Sequence, residues 1–292
     1  MFQGIGTAIV TPFTEEMEVN YQDLKNIAQM QVEAGTDSIV VLGTTGETPT
    51  ITLDERKQIV KTVVEEVKGK IPVIVGTGTN SAIDVIKYNK MAEEAGADGL
   101  LIVTPYYNKT SQEGLFQSFK LYADYTKLPI IIYNVPSRTG VNMKIDTILR
   151  LHDECENIIG IKEAGGDISF VAELMAKKPS TLKVFSGNDD QTLSMMALGA
   201  EGLISVAGNI IPKDMVNLTH LMLQGNIKEA QKYNNRLNQI FNELFIEVNP
   251  IPVKYAASLM GICDNSVRLP LVTLSKENEE VIEKTLQDLE LL

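Results

Sequence analysis

The chain is short of the residues on which most metal and thiol chemistry depends. Cysteine occurs twice, as Cys155 and Cys263, far apart and with no CxxC pair, which argues against a disulfide framework and a structural zinc site. Histidine also occurs only twice. His152 and His220 lie in polar, helical-looking stretches and are expected at the surface, which leaves Ser-His catalysis and histidine metal ligation poorly supplied. Positive charge is scarce too: 26 Lys and Arg against 38 Asp and Glu give a formal net charge of −12. Nucleic acid and anionic membrane are therefore not expected as partners, and an anionic substrate would have to meet local positive charge. No apolar run approaches the roughly 18 residues needed to span a bilayer. The opening "MFQGIGTAIV" lacks the basic region, apolar core and small-residue cleavage site of a signal peptide, so a cytoplasmic location is expected.

What is present is an ordinary globular composition, 44% hydrophobic and 22% charged over 292 residues, without low-complexity tracts or Pro- or Ser-rich linkers. That length lies near the upper limit for one domain and suits an α/β barrel. Short β-rich runs occur at 6–13, 38–47, 72–80, 99–107, 129–137, 158–166, 182–190 and 202–209. Each interval holds an amphipathic helical segment such as "YQDLKNIAQMQVEAG", with Ala-Gly as a stop signal. Alternation of this kind builds parallel sheets through right-handed crossovers, and eight units point to a (β/α)8 TIM barrel. A doubly wound open sheet is the structural alternative. After the eighth run the pattern is helical throughout, with Asn249-Pro250-Ile251-Pro252 as a break. Residues 1–224 are expected to form the barrel and 225–292 a small helical extension.

Active sites of such barrels gather at the C-terminal ends of the strands. There the runs close in Gly43-Thr44-Thr45-Gly46-Glu47, Thr104-Pro105-Tyr106-Tyr107, Tyr133 to Arg138, and Lys162-Glu163. Lys162 ends the apolar run Ile158-Ile159-Gly160-Ile161. It could be a lysine leaving the barrel and snorkelling to water. Alternatively, desolvation among Ile159, Ile161 and barrel neighbours disfavours its charged form and leaves a nucleophilic amine able to form a Schiff base with a ketone. Tyr133 and Thr44 could relay protons to such a reaction. "GTTGE" is a tight turn whose N–H groups could grip a carboxylate, and Arg138 is a natural fork for a second one. The turn is not a P-loop, and "GTGTNS" fails the dinucleotide fingerprint. A phosphate-binding barrel is disfavoured by Asp189-Asp190 after the seventh run, where Gly-rich anion loops would be wanted.

The motifs "GTAIVTPF", "GTTGE", "TPYYNK", "YNVPSRTG", "GIKEA" and "SGNDD" occur in this order across essentially the whole chain. Together they resemble the dihydrodipicolinate synthase branch of the Schiff-base lyases with N-acetylneuraminate lyase-like barrels. The resemblance implies a homotetramer or homodimer that condenses pyruvate with L-aspartate 4-semialdehyde in lysine and diaminopimelate biosynthesis. It makes Lys162 the imine-forming lysine and Tyr133 the acid/base, with Thr44 and Tyr107 completing a hydroxyl relay. Tyr107 would reach the neighbouring subunit's site. Thr44 and Thr45 would hold the pyruvate carboxylate through their N–H groups, and Arg138 the carboxylate of the semialdehyde. Gly187 and Ile204 would line the pocket through their main chain. No metal or organic cofactor is implied. Sugar-acid aldolases of the same superfamily share the lysine and tyrosine, whereas Thr44-Thr45 and "PSRTG" favour the synthase. Asn80 and Tyr106 match the lysine effector site of regulated members. Leu53 and Arg56 stand where those members often carry histidines, and Asp84 replaces a longer acid, so weak or absent inhibition by lysine is expected.

Overall fold

The structure, a computed structural model, describes residues 2–292. Eight aliphatic runs form parallel strands β1 (Gly4–Ala8), β2 (Ser38–Val41), β3 (Val73–Gly76), β4 (Gly99–Val103), β5 (Ile130–Asn134), β6 (Ile158–Glu163), β7 (Lys183–Ser186) and β8 (Gly202–Ser205). They pair in chain order, and β8 pairs back onto β1 through Gly4 to Gly202 and Thr7 to Ser205. That last pairing closes the barrel and rules out the doubly wound alternative.

The strands are shorter than the apolar runs, because the runs end in turns. After β2, Leu42 and Glu47 take left-handed backbone angles (φ 55 and 53), which no strand can continue through. Thr44–Gly46 forms a single 3-10 turn instead.

Helices α1 (Tyr21–Ala34), α2 (Leu53–Val67), α3 (Ala82–Glu94) and α4 (Gln112–Asp124) wrap the first half. Asn20 caps α1 by accepting the N–H groups of Gln22 and Asp23, and Gly35 stops it at φ 80. A Thr52/Glu55 capping box starts α2. The second half carries a short α5 (Pro136–Thr139), then α6 (Ile145–Glu154), α7 (Ile168–Lys177), α8 (Thr192–Ala197) and α9 (Pro212–Leu223).

The expected continuous helical run after β8 is broken: Gly225 (φ 75) separates α9 from α10 (Ile227–Glu243). The helix α9 packs on β1 and α1 as a barrel helix, while α10 packs on α9, and both α10 and α11 (Ile251–Leu259) pack on α12 (Lys276–Asp288).

Period-two alternation sorts each strand between two cores. Val40, Ile74, Leu101, Ile131, Tyr133 and Phe185 form a cluster inside the barrel. Their neighbours, among them Ile39, Val75, Ile102, Ile132 and Val184, belong to the larger core between strands and helices. Lys162 is in register with Tyr133 on one side and Phe185 on the other, so its side chain enters the barrel. Ile161 pairs with Ile132 and Val184 and belongs to the outer core. Of the two isoleucines expected to desolvate the amine, Ile161 therefore faces the helices, whereas Ile159 packs against the cluster inside the barrel.

Candidate active site

Lys162 is 5% exposed, with its Nζ 4.4 Å from the centre of the Tyr133 ring. Burial holds its amine below the ordinary lysine value, at about 8; the Asp189 carboxylate opposes that shift and the Arg138 guanidinium adds to it. The apolar surroundings are the barrel interior, supplied by residues such as Leu101, Tyr133 and Ala8 from other strands, with Ile159 of its own strand packed against the same cluster.

The amine opens into a cavity of about 170 Å³ whose wall includes Thr44, Thr45, Tyr133, Arg138, Lys162 and Gly187. Tyr133 is buried, which pushes its phenol up; Arg138 and the neighbouring Thr44 hydroxyl favour the phenolate and oppose that shift. Thr44 and Thr45 open the 3-10 turn after β2, and their N–H groups have no backbone acceptor among the described residues. The first N–H groups of a helical turn lack internal partners and point outward, an arrangement suited to an anion. Gly187 is required by close approach: a Cβ there would lie 2.5 Å from the Ala164 Cβ and 3.1 Å from Lys162 Cε.

Six of the eight expected site residues thus meet in one cavity, and two do not. Ile204 is 2% exposed and part of the barrel-interior core; the wall after β8 is Val206. Tyr107 is 91% exposed at φ 69 and lines neither this cavity nor the adjoining one of about 330 Å³, which shares Thr44, Tyr133 and Arg138. The N–H of Asn108 donates to the Tyr106 carbonyl at 2.9 Å, closing a γ-turn around Tyr107. A strained, exposed aromatic of this kind has no internal packing to explain it.

The histidines are not free surface residues as expected: both are partly buried and bonded away from the cavity, His152 to the Ile158 carbonyl and Thr181, and His220 to Asp37. Among the described residues no cluster of three or more His, Cys, Asp or Glu could hold a metal.

Sequence reasoning passed over three contributors. Asp189 is 1% exposed and accepts from Ser205 Oγ at 2.5 Å, Val206 N at 3.0 Å and Ala207 N at 3.2 Å. It fills with a carboxylate the N–H groups that a phosphate would need after β8, which is firmer ground against a phosphate site than repulsion alone. Asn249 donates from Nδ2 to Thr45 Oγ1 at 3.1 Å, and its carbonyl accepts from Arg138 Nη2 at 3.2 Å. Phe245 completes the rim. The only sequence signal for Asn249 was the double-proline break beside it.

The whole-chain likeness to known proteins agrees with this geometry. The model of the "Dihydrodipicolinate synthetase family" matches residues 1–289. A curated relative from Thermotoga neapolitana, "4-hydroxy-tetrahydrodipicolinate synthase", is 46% identical, with 100% of both chains covered. The crystal structure of dihydrodipicolinate synthase from Thermotoga maritima superposes with a TM-score of 0.98 at 44% identity, covering 100% of each chain. The chloride-inhibited dihydrodipicolinate synthase from Acinetobacter baumannii, complexed with pyruvate, gives a TM-score of 0.98 at 41% identity, also covering 100% of each. A barrel whose buried strand-end lysine shares a cavity with a tyrosine and with a turn whose N–H groups lack backbone acceptors is matched here over its full length by enzymes of one kind, and the chain belongs to the dihydrodipicolinate synthetase family.

Proposed function

We propose that the protein condenses pyruvate with L-aspartate 4-semialdehyde to 4-hydroxy-tetrahydrodipicolinate, as a Schiff-base lyase of lysine and diaminopimelate biosynthesis. The observation that carries the reading is the buried amine of Lys162, held at about 8 beside Tyr133 at the floor of the cavity. The pyruvate complex of the Acinetobacter relative supports it.

Pyruvate enters with its carboxylate on the N–H groups of Thr44 and Thr45. The neutral amine of Lys162 attacks the ketone carbon, and Tyr133 relays protons through Thr44 as the carbinolamine forms and loses water. The iminium acidifies the methyl group, and loss of a proton gives the enamine. The enamine attacks the aldehyde carbon of the semialdehyde, whose carboxylate Arg138 receives. The substrate amine then attacks the imine carbon, closes the ring and releases Lys162. Every atom that reacts belongs to lysine or substrate, so the chemistry requires no metal or organic cofactor.

Tyr107 completes the hydroxyl relay of a neighbouring copy in a homotetramer built as a dimer of dimers. Its exposure, its strained backbone and the open cavity beside Thr44 and Tyr133 support that role. Inhibition by lysine is weak or absent. Arg56, 4% exposed on the wall of the larger cavity and stacked 4.3 Å over Tyr88, puts a fixed positive charge where a cationic effector would sit. Half-inhibition at sub-millimolar lysine would contradict this.

The decisive experiment adds pyruvate, reduces with borohydride and locates the adduct by mass spectrometry. Modification of Lys162 is expected; an unmodified Lys162 overturns the mechanism. A ring product from semialdehyde, and none from sugar aldehydes, settles the acceptor.

A further inference from the structure

Behind the Gly43–Glu47 turn lies a buried ionic cluster that the reaction does not use. Glu47 is 3% exposed and Lys254, on α11, is 0% exposed. Lys254 Nζ donates to Glu47 Oε1 at 2.5 Å and to the Ser266 carbonyl at 2.7 Å. The Arg268 N–H donates to Glu47 Oε2 at 2.9 Å, so both carboxylate oxygens are engaged. The ammonium also sits 4.1 Å from the centre of the Phe13 ring. Neither Glu47 nor Lys254 lines the cavity. A buried ion pair is weak evidence for stability, because desolvating two charges offsets much of their attraction. It does impose geometry, since neither charge can move away from the other without being left unpaired.

The element so held is the one that bears Thr44 and Thr45. Glu47 stands at φ 53 and its N–H closes the turn on the Thr44 carbonyl at 3.1 Å. The same C-terminal segment grips the turn a second time, through Asn249 on the Thr45 hydroxyl.

We infer that Glu47, Lys254 and Asn249 are positioning residues for the condensation. Through them residues 249–268 fix the Thr44 hydroxyl and the N–H groups of Thr44 and Thr45 against Lys162 and Tyr133. The C-terminal segment is thereby part of the catalytic apparatus, although it supplies no reacting atom. This inference rests on the condensation reading above.

Glu47→Gln alone leaves the Lys254 charge buried without its partner and is expected to fold poorly. The informative variant is therefore Glu47→Gln combined with Lys254→Met, which removes both charges. It is expected to unfold near the wild-type temperature and still form the borohydride-trapped pyruvate adduct on Lys162. Its kcat falls by about 10- to 100-fold, the consequence of a turn displaced on the order of 1 Å. Its KM for pyruvate rises, while its KM for the semialdehyde stays within about twofold. Asn249→Ala carries no charge penalty, and its kcat is expected to fall by about tenfold; should the double variant not fold, this one decides. Wild-type kcat and pyruvate KM in the folded variants would make the cluster merely structural and overturn the inference. A wild-type protein that gives neither adduct nor ring product overturns the condensation reading itself, a failure seen before any variant is made.

Discussion

Lys162 owes its lowered amine value to where its side chain points. As an ordinary lysine its amine would be about 10.5, and in the barrel it is held at about 8, so a useful neutral fraction exists near physiological pH. The rate of borohydride-trapped adduct formation is expected to rise with pH and level off above a midpoint near 8. A flat profile, or one still rising beyond pH 9, would contradict that. The same shift bears on stability. Between about 8 and 10.5 the unfolded chain holds more of this proton than the folded one, so this group's contribution to stability rises with pH across that window. Lys162→Met is accordingly expected to abolish the adduct and stabilise the fold at pH 7 by about 1–3 kcal/mol. Thermal unfolding should show the gain shrinking as pH approaches 10.5. Gly187 is the counterpart in space. Gly187→Ala places a methyl against Ala164 and Lys162 Cε and is expected to lower kcat by roughly 100-fold with a stability loss of about 1–3 kcal/mol, read from steady-state kinetics and calorimetry together.

The elements explain why some expectations transferred and others did not. A lysine ending an apolar run was visible in the sequence, but of its two supposed isoleucine neighbours only Ile159 packs against the barrel interior. Alternation sends Ile161 outward and Lys162 inward, so the desolvating groups come mainly from strands distant in sequence. The turn after β2 was legible because glycine spacing and threonines are local signals. The link between β7 and β8 was not: Asp189 read as an acidic loop residue, and only the pairing of β7 with β8 puts Ser205, Val206 and Ala207 around it. Asp189→Asn should expose its value. Without the carboxylate charge that raises the Lys162 amine, the midpoint for adduct formation is expected to move below 8. The fold should lose about 2–3 kcal/mol as the buried N–H groups lose a charged acceptor. An unchanged midpoint in the folded variant would mean that Asp189 has no electrostatic hold on the amine.

At the scale of the whole molecule, one chain leaves two features unexplained: a strained Tyr107 in solvent and an open cavity beside Tyr133. In the proposed homotetramer a neighbouring copy would answer both. Mixing inactive Lys162→Ala with impaired Tyr107→Phe protein, under conditions where subunits exchange, is expected to restore part of the activity, because mixed pairs contain one complete site. No recovery despite exchange, shown by mass spectrometry of mixed assemblies, would place the Tyr107 hydroxyl outside the relay.

The sequence by itself determined the barrel, since strand-helix alternation is a local pattern repeated eight times. It also pointed to the strand-end residues that meet in one cavity, because a (β/α)8 barrel gathers those ends at one mouth. Only the tertiary structure decided which side chains desolvate Lys162, that Asp189 caps the β8 turn, and that Asn249 and Lys254 reach more than 200 positions back to hold Thr45 and Glu47. The reason is physical. Period and turn chemistry act between residues close in the chain, whereas burial and ion pairing depend on groups that meet only when the barrel closes.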